Sequence, residues 1–360
     1  MTLTFIVGTG RCGSTLLSTI LHTHPAISSL SEFFATVRLR AFPPRPINGL
    51  QFWQLLAKPD PNLDGMVGSG LRVPEHLYPY DSGRFRPQTG VPAICHMTLP
   101  MLTNDPDALH DELAGEVRRW PRRPVVEHYR QLFAWMRDRF GRSVTVERSG
   151  LSLPLVGQLR ATFPEARFIH MYRDGPDCAL SMSRHAGFRM IMLAIEAARL
   201  AGAPPKEFNG EYIPLPPRQL RLLPPDFAKM FMGQLDPDFI MGTDLPLPEF
   251  GRLWSSLIQQ GVESLSHVPP GSRMSLRYET LLADPVPQLT MLAEFIGVEA
   301  EQSWLDEACR RLDLSRAGSA TRLDPAVLAD LRSACSPGEQ ALSAAAASPR
   351  LVPVSPSPGA

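Results

Sequence analysis

The chain has 360 residues, enough for one large domain with insertions or for two ordinary domains. Its 36 basic and 36 acidic side chains cancel, which excludes a global attraction to nucleic acid or to an anionic membrane and confines any anion site to a local cluster. The cysteines Cys12, Cys95, Cys178, Cys309 and Cys335 are odd in number and lack CxxC spacing. They outline neither a zinc site nor a disulfide framework, and a reducing, cytoplasmic setting is expected.

In chain order, residues 4–7 read as a buried strand that runs straight into a glycine turn, so no signal peptide is expected. A helix follows over 14–22, with Leu16, Leu17, Ile20 and Leu21 at helical spacing. The βα rhythm returns with a strand from Val144, a helix ending near Thr162, a strand over 167–172 and a helix over about 175–185. It returns again with a helix over 254–265, a strand over 273–277 and a helix over 287–296 closed by Gly297. Such alternation implies an α/β fold with a central parallel sheet flanked by helices. One domain over 1–335 is expected, interrupted at about 40–106 and 186–250 by two proline-rich stretches without periodicity, which read as irregular lids. The tail 336–360 is expected to be disordered. Apolar patches such as residues 190–195 fall far short of the roughly 20 residues of a membrane span, and no stable membrane insertion is expected.

The turn after the first strand, GTGRCGST, places Gly8, Gly10 and Gly13 where backbone N–H groups gather at a helix N-terminus, a ready anion site. Read as G-x-G-x-x-G, it satisfies the dinucleotide fingerprint, with Glu32 near the place of the ribose-holding acid. Read as a Walker loop, it has Ser14 where the lysine belongs, which argues against a nucleoside triphosphatase. Arg11, Ser14 and Thr15 supply more phosphate-binding chemistry than a dinucleotide turn uses.

The stretch GTGRCGSTLLSTILHTHPAISSLSEFF resembles the first signature of sulfotransferases that use 3'-phosphoadenosine 5'-phosphosulfate (PAPS), above all the tyrosylprotein branch and related bacterial enzymes. The resemblance implies a P-loop-like three-layer sandwich and a 5'-phosphosulfate site made by Gly10, Arg11, Cys12, Gly13, Ser14 and Thr15, with Cys12 standing where the family usually has serine. It also implies that Glu32, which follows the His24-Pro25 pair, is the catalytic base. RFIHMYRDGPDCALSMSRH, residues 167–185, resembles the 3'-phosphate signature, so Arg173 and Ser181 are expected to grip one phosphate. Asp174 and Asp177 are expected to orient the arginine or cap the helix. RYETLLADPVPQLTMLAEFIGV, residues 277–298, is similar to a third family segment and implies that Tyr278 lies near the nucleotide.

Arg148 stands, with a small gap, where many relatives carry a lysine that stabilises charge on the transferred group. Glu147 beside it is expected to pair with an arginine, and residues 314–319 to close on the nucleotide. The resemblance thus covers residues 4–34, 144–185 and 252–298. It implies sulfuryl transfer to a hydroxyl, with PAPS as co-substrate and no metal. Phe52, Trp53, Phe188, Met190, Met192, Phe231 and Met232 in the unmatched stretches suggest an apolar acceptor, a small molecule or a lipid-like metabolite; packing in the core is their plainer role. His22 and His24 are expected to be structural, whereas His96, His128, His170 and His185 have no assigned place. Two rival classes remain open on sequence: a Rossmann-type oxidoreductase, and a nucleotide-binding protein without catalysis.

Overall fold

A computed structural model describes residues 3–203, 208 and 215–347. The chain opens with β1 (Leu3–Val7), α1 (Ser14–Thr23), β2 (Ile27–Ser31) and α2 (Phe33–Val37). A helical segment follows, with α3 (Gly49–Ala57), α4 (Pro61–Gly68), α5 (Ala93–His96), α6 (Thr98–Leu102), α7 (Pro106–Val117) and α8 (Val125–Arg139). Next come β3 (Val144–Arg148), α9 (Val156–Thr162), β4 (Arg167–Tyr172) and α10 (Gly175–Ser183). A second helical segment holds α11 (Ala186–Leu200), α12 (Pro217–Leu220), α13 (Pro225–Phe231), α14 (Pro237–Gly242) and α15 (Leu247–Ser266). The chain continues with β5 (Arg273–Arg277), α16 (Tyr278–Ala283), α17 (Pro285–Ile296), α18 (Gln302–Arg310) and α19 (Pro325–Ala347).

The strands form a parallel sheet in the order β2-β3-β1-β4-β5. Alternation along β1 divides its side chains between two layers. Leu3, Phe5 and Val7 enter one core with Phe33, Phe34, Phe133, Phe163 and Trp254. Ile6 enters the other, with Leu17, Ile20 and Leu21 of α1 and the apolar faces of α16, α17 and α18. Helices therefore cover both faces, the three-layer α/β arrangement expected. Because β1 lies between β3 and β4, its following loop opens at the carboxyl edge where connections depart to opposite sides, the usual place for a ligand in an open parallel sheet.

Two expectations need correction. The stretches 40–106 and 186–250 are not irregular: much of each is helical. Several of their prolines sit in the first turn of α4, α7, α12, α13, α14 and α15, where the missing N–H costs no intrahelical bond. Met66 of α4 packs with Leu193 of α11, Met230 of α13 and Ile240 of α14, so the two stretches share an apolar cluster and form one cap. The disordered tail was placed to begin at Ser336, but α19 runs to Ala347 and packs on α15. A Cβ on Gly338 would lie 2.6 Å from the Trp254 ring, so small residues let the helices approach closely. Residues 348–360 lie outside the described residues. No helix among the described residues is long and apolar enough to cross a membrane.

Candidate functional site

Tight turning builds the loop between β1 and α1. Gly10 and Gly13 take positive φ values of 75° and 92°, and Arg11 between them has φ 56°, a left-handed conformation that a side chain rarely adopts. At Gly13 a Cβ would lie 2.3 Å from the Tyr278 ring, so this position requires glycine for space as well as for φ. Cys178 on α10 donates its thiol to the Gly10 carbonyl at 3.3 Å and pins the turn. Cys12 is fully buried among the α1 core residues, and burial pushes its thiol up. Its side chain is thus a packing element, and it can meet an anion only through its backbone.

From this turn Arg11 reaches outward. Its Nε donates to Ser181 Oγ at 3.2 Å and its Nη1 to Glu75 Oε1 at 3.4 Å. Thr15 Oγ1 donates to the same Glu75 oxygen at 3.1 Å, and His185 Nε2 stands 3.8 Å from the other. Sequence reasoning missed Glu75, which lies in RVPEHLYPY between α4 and α5 with no pattern to mark it. Burial works against its ionisation, but the neighbouring His185 ring and the Arg11 charge outweigh it and hold the carboxyl at about 2. An ionised carboxylate from the cap therefore sits on two residues expected to hold an anion. Phe188, at the start of α11, closes over the turn; a Gly10 Cβ would lie 2.7 Å from its ring.

Glu32 lies at the end of β2 as the N-cap of α2, in a left-handed conformation with φ 56° and ψ 26°. Its Oε1 accepts from Arg148 Nη1, and its Oε2 accepts from the Gly150 N–H at 2.8 Å. Arg148 Nη2 also donates to Ser31 Oγ at 3.0 Å. Both partners are almost completely buried. Burial pushes the Glu32 carboxyl above its ordinary range, against the opposing charge of Arg148 and the Gly150 N–H, while Glu75 adds to the rise and His185 opposes it. Glu147 does not pair with an arginine as expected; it accepts from Ser149 Oγ at 2.6 Å and from the Phe34 N–H at 3.3 Å.

Arg173, at the end of β4, and Ser181, on α10, bond different partners. Arg173 Nη2 donates to Asp177 Oδ2 at 3.0 Å and to the Arg316 carbonyl, and its guanidinium lies 4.9 Å from the Tyr278 ring centroid. Asp177 in turn accepts from the backbone N–H groups of Gly318 and Ala320, each at 2.7 Å. The 314–320 segment is thereby tied to α10. Asp174 caps that helix through the Asp177 N–H at 3.0 Å. Arg173 Nε is buried without a hydrogen-bond partner among the described residues, and so is Arg148 Nε. A buried donor of that kind calls for an acceptor.

Of the histidines considered from the sequence, His185 stands in this site beside Glu75. His24 bonds the Glu299 carbonyl at 2.8 Å, a structural role; His96 bonds Tyr80, and His128 the Ile47 carbonyl. Phe52 and Trp53 are buried in the main core rather than at the site, whereas Met232 is 61% exposed. No group of three or more His, Cys, Asp or Glu placed to hold a metal ion occurs among the described residues.

Strand order separates the two readings of the glycine loop. A Rossmann sheet places its second strand beside the first, whereas here β3 lies between β1 and β2. Glu32 is correspondingly spent on Arg148 and Gly150. No family model matches the chain, and no curated protein matches it. Several solved structures are similar, and those named here are sulfotransferases. The sulfotransferase domain of the Synechococcus PCC 7002 olefin synthase is 15% identical, covers 93% of this chain and 94% of its own, and has a TM-score of 0.45. For the sulfotransferase domain from the curacin biosynthetic pathway the values are 14%, 93%, 98% and 0.46. A sulfotransferase from Alicyclobacillus acidocaldarius is 16% identical, with coverages of 96% and 95% and a TM-score of 0.41.

Proposed function

We propose that the protein is a sulfotransferase that moves a sulfuryl group from PAPS to a hydroxyl acceptor. The observation that carries this reading is convergence: Arg11 and Thr15 of the first turn, Ser181 of α10 and the Glu32–Arg148 pair, far apart in sequence, surround the same end of the sheet. The donor fits two features of the site. The orphaned Nε atoms of Arg173 and Arg148 are buried donors in need of anionic oxygens, and Glu75 already holds an anion's place on Arg11 and Thr15.

The bound donor supplies an activated sulfuryl group whose bond to the 5'-phosphate oxygen breaks as the acceptor oxygen bonds sulfur, with adenosine 3',5'-bisphosphate leaving. Arg11, Thr15 and the backbone of Gly10, Cys12, Gly13 and Ser14 hold the 5'-phosphosulfate at the helix N-terminus. Arg173 takes the 3'-phosphate with Ser181, and Tyr278 fixes the plane of the Arg173 guanidinium. Glu32 receives the acceptor proton; each of its oxygens retains a lone pair beyond the bonds from Arg148 and Gly150. Arg148 orients Glu32 and offers its free Nε to the charge that builds on the transferred group. Positioning and charge stabilisation dominate, as in phosphoryl transfer.

The acceptor enters from the cap, where Phe188 lies against the glycine turn, and we assign it as a small-molecule or lipid-like alcohol. Thermal shift with adenosine 3',5'-bisphosphate and with NAD tests the donor, and labelled PAPS with mass spectrometry of the products tests the transfer. Stabilisation by NAD alone would overturn the assignment.

A further inference from the structure

Two consecutive residues of β3 approach Glu32 from opposite directions. Side chains alternate across a strand, so Arg148 reaches the Glu32 carboxylate while Glu147 points through the sheet to the layer beneath α2. There Glu147 Oε1 accepts the Phe34 N–H at 3.3 Å, and Ser149 Oγ accepts the Ala35 N–H at 3.0 Å. Those are the second and third residues of α2, whose N–H groups have no intrahelical acceptor. An N-cap side chain normally serves them, but Glu32 is the N-cap and makes no such bond. Its carboxylate is committed to Arg148 and Gly150 instead. Ser149 Oγ then donates to Glu147 at 2.6 Å and joins the two substitutes into one unit.

We propose that Glu147, with Ser149, is a positioning residue for Glu32: the pair caps α2 in its place, fixes the left-handed backbone at Glu32 and frees its carboxyl to face the glycine loop. The proposal rests on the sulfotransferase reading for the role of Glu32. Glu147 is wholly buried, and burial raises its carboxyl to about 7, against the bonds from Ser149 and Phe34; Glu32 adds to the rise and Arg148 opposes it. Glu32 faces Arg148, Glu75 and His185 besides. A charge on Glu32 makes Glu147 hold its proton more tightly, and by reciprocity a charge on Glu147 opposes ionisation of Glu32.

Sulfate release from PAPS, with water as the acceptor, reads this out together with calorimetric binding of adenosine 3',5'-bisphosphate. Glu147→Gln keeps an oxygen for the Phe34 N–H but removes the titration. The acid limb of its kcat profile should move to lower pH and narrow to a single ionisation, with bisphosphate affinity within about twofold of wild type. Ser149→Ala should lower kcat about tenfold without altering that affinity, and Ser149→Thr, which keeps the hydroxyl, should restore it. An acid limb in Glu147→Gln that superimposes on wild type, or a Ser149→Ala variant that loses thermal stability but keeps its kcat, overturns the proposal. If wild type neither binds the bisphosphate nor consumes PAPS, the donor reading fails first, and the two failures are told apart.

Discussion

The carboxyl edge of the sheet and the cap above it contribute to the same site by different means. At the edge, position comes from the backbone: a turn with positive φ at Gly10, Arg11 and Gly13, a left-handed Glu32 and strand ends that place Arg148 and Arg173. In the cap, side chains make the connection: Glu75 reaches Arg11 and Thr15 from a segment outside any helix, Thr98 donates to the Ser31 carbonyl and Phe188 closes over the turn. The cap helices themselves are held by their own apolar cluster and by buried Arg189, which donates to the carbonyls of Ser183, Ile240 and Thr243. Edge residues should therefore govern chemistry and nucleotide affinity. Cap residues should govern access.

The largest effect is expected at the edge. Glu32→Gln should reduce sulfate release by about 10²–10⁴-fold while bisphosphate binding persists, because only the proton acceptor is removed. Since burial raises the Glu32 carboxyl, wild-type activity should rise with pH through a value above the ordinary 4.5, where the base becomes free. Arg173→Ala should weaken bisphosphate binding about 10–100-fold by calorimetry, the worth of charged hydrogen bonds. Asp177 keeps its bonds to Gly318 and Ala320 in that variant, so the 314–320 segment should remain tied down. Unchanged affinity would remove Arg173 from the donor site.

Glu75 tests whether the cap acts on the edge. As the donor has to take its place on Arg11, Glu75→Gln should tighten bisphosphate binding about tenfold. Its carboxyl is held below the ordinary value, so the tether contributes stability in full above pH 4.5 and loses it as pH falls toward about 2. Hydrogen exchange in residues 71–92 should accelerate over that window in wild type and show no such step in Glu75→Gln. Weaker bisphosphate binding in the variant would make Glu75 a donor ligand rather than a competitor.

Much of the edge was legible because its signals are local. Glycine spacing marks the turn, and the strands over 167–172 and 273–277 match the observed bounds, since the first is an apolar run and the second follows a Pro-Pro-Gly break. β2 carries no such signal: ISSLS is three-fifths serine, yet it is buried, with Ser29 bonded to Ser18 and Ser31 to Arg148. Tertiary partners satisfy the Ser29 and Ser31 hydroxyls, and the sequence shows neither of them. Arg173 and Ser181 have the expected spacing, but the partners they bond, Asp177, Arg316 and Arg11, were decided by the fold. Glu75 belongs to no pattern at all. The cap was misread because it lacks clear periodicity, although Asp60-Pro61, Asp105-Pro106 and Asp236-Pro237 each pair a capping carboxylate with a proline that starts a helix. In the tail, alanine, serine and glycine looked too small to build a core; their smallness is what admits Trp254 of α15 between the helices.

The smallest effect makes the sharpest test of the division between edge and cap. Asp236 Oδ1 accepts the N–H groups of Asp238 at 2.9 Å and Phe239 at 3.3 Å, while Ile240 and Phe239 of the same short helix pack into the cap cluster. Asp236→Ala removes the cap and leaves Pro237 in place, so the loss should be about 1 kcal/mol, a fall in melting temperature of roughly 2 °C for a protein of this size. Bisphosphate affinity and the acid limb of sulfate release should not move, because no edge residue depends on that helix end. A matching loss of affinity would mean that cap stability and nucleotide binding are one cooperative property, and that Glu75 transmits it. The ratio of the two losses, measured by calorimetry and thermal denaturation on one preparation, decides which holds.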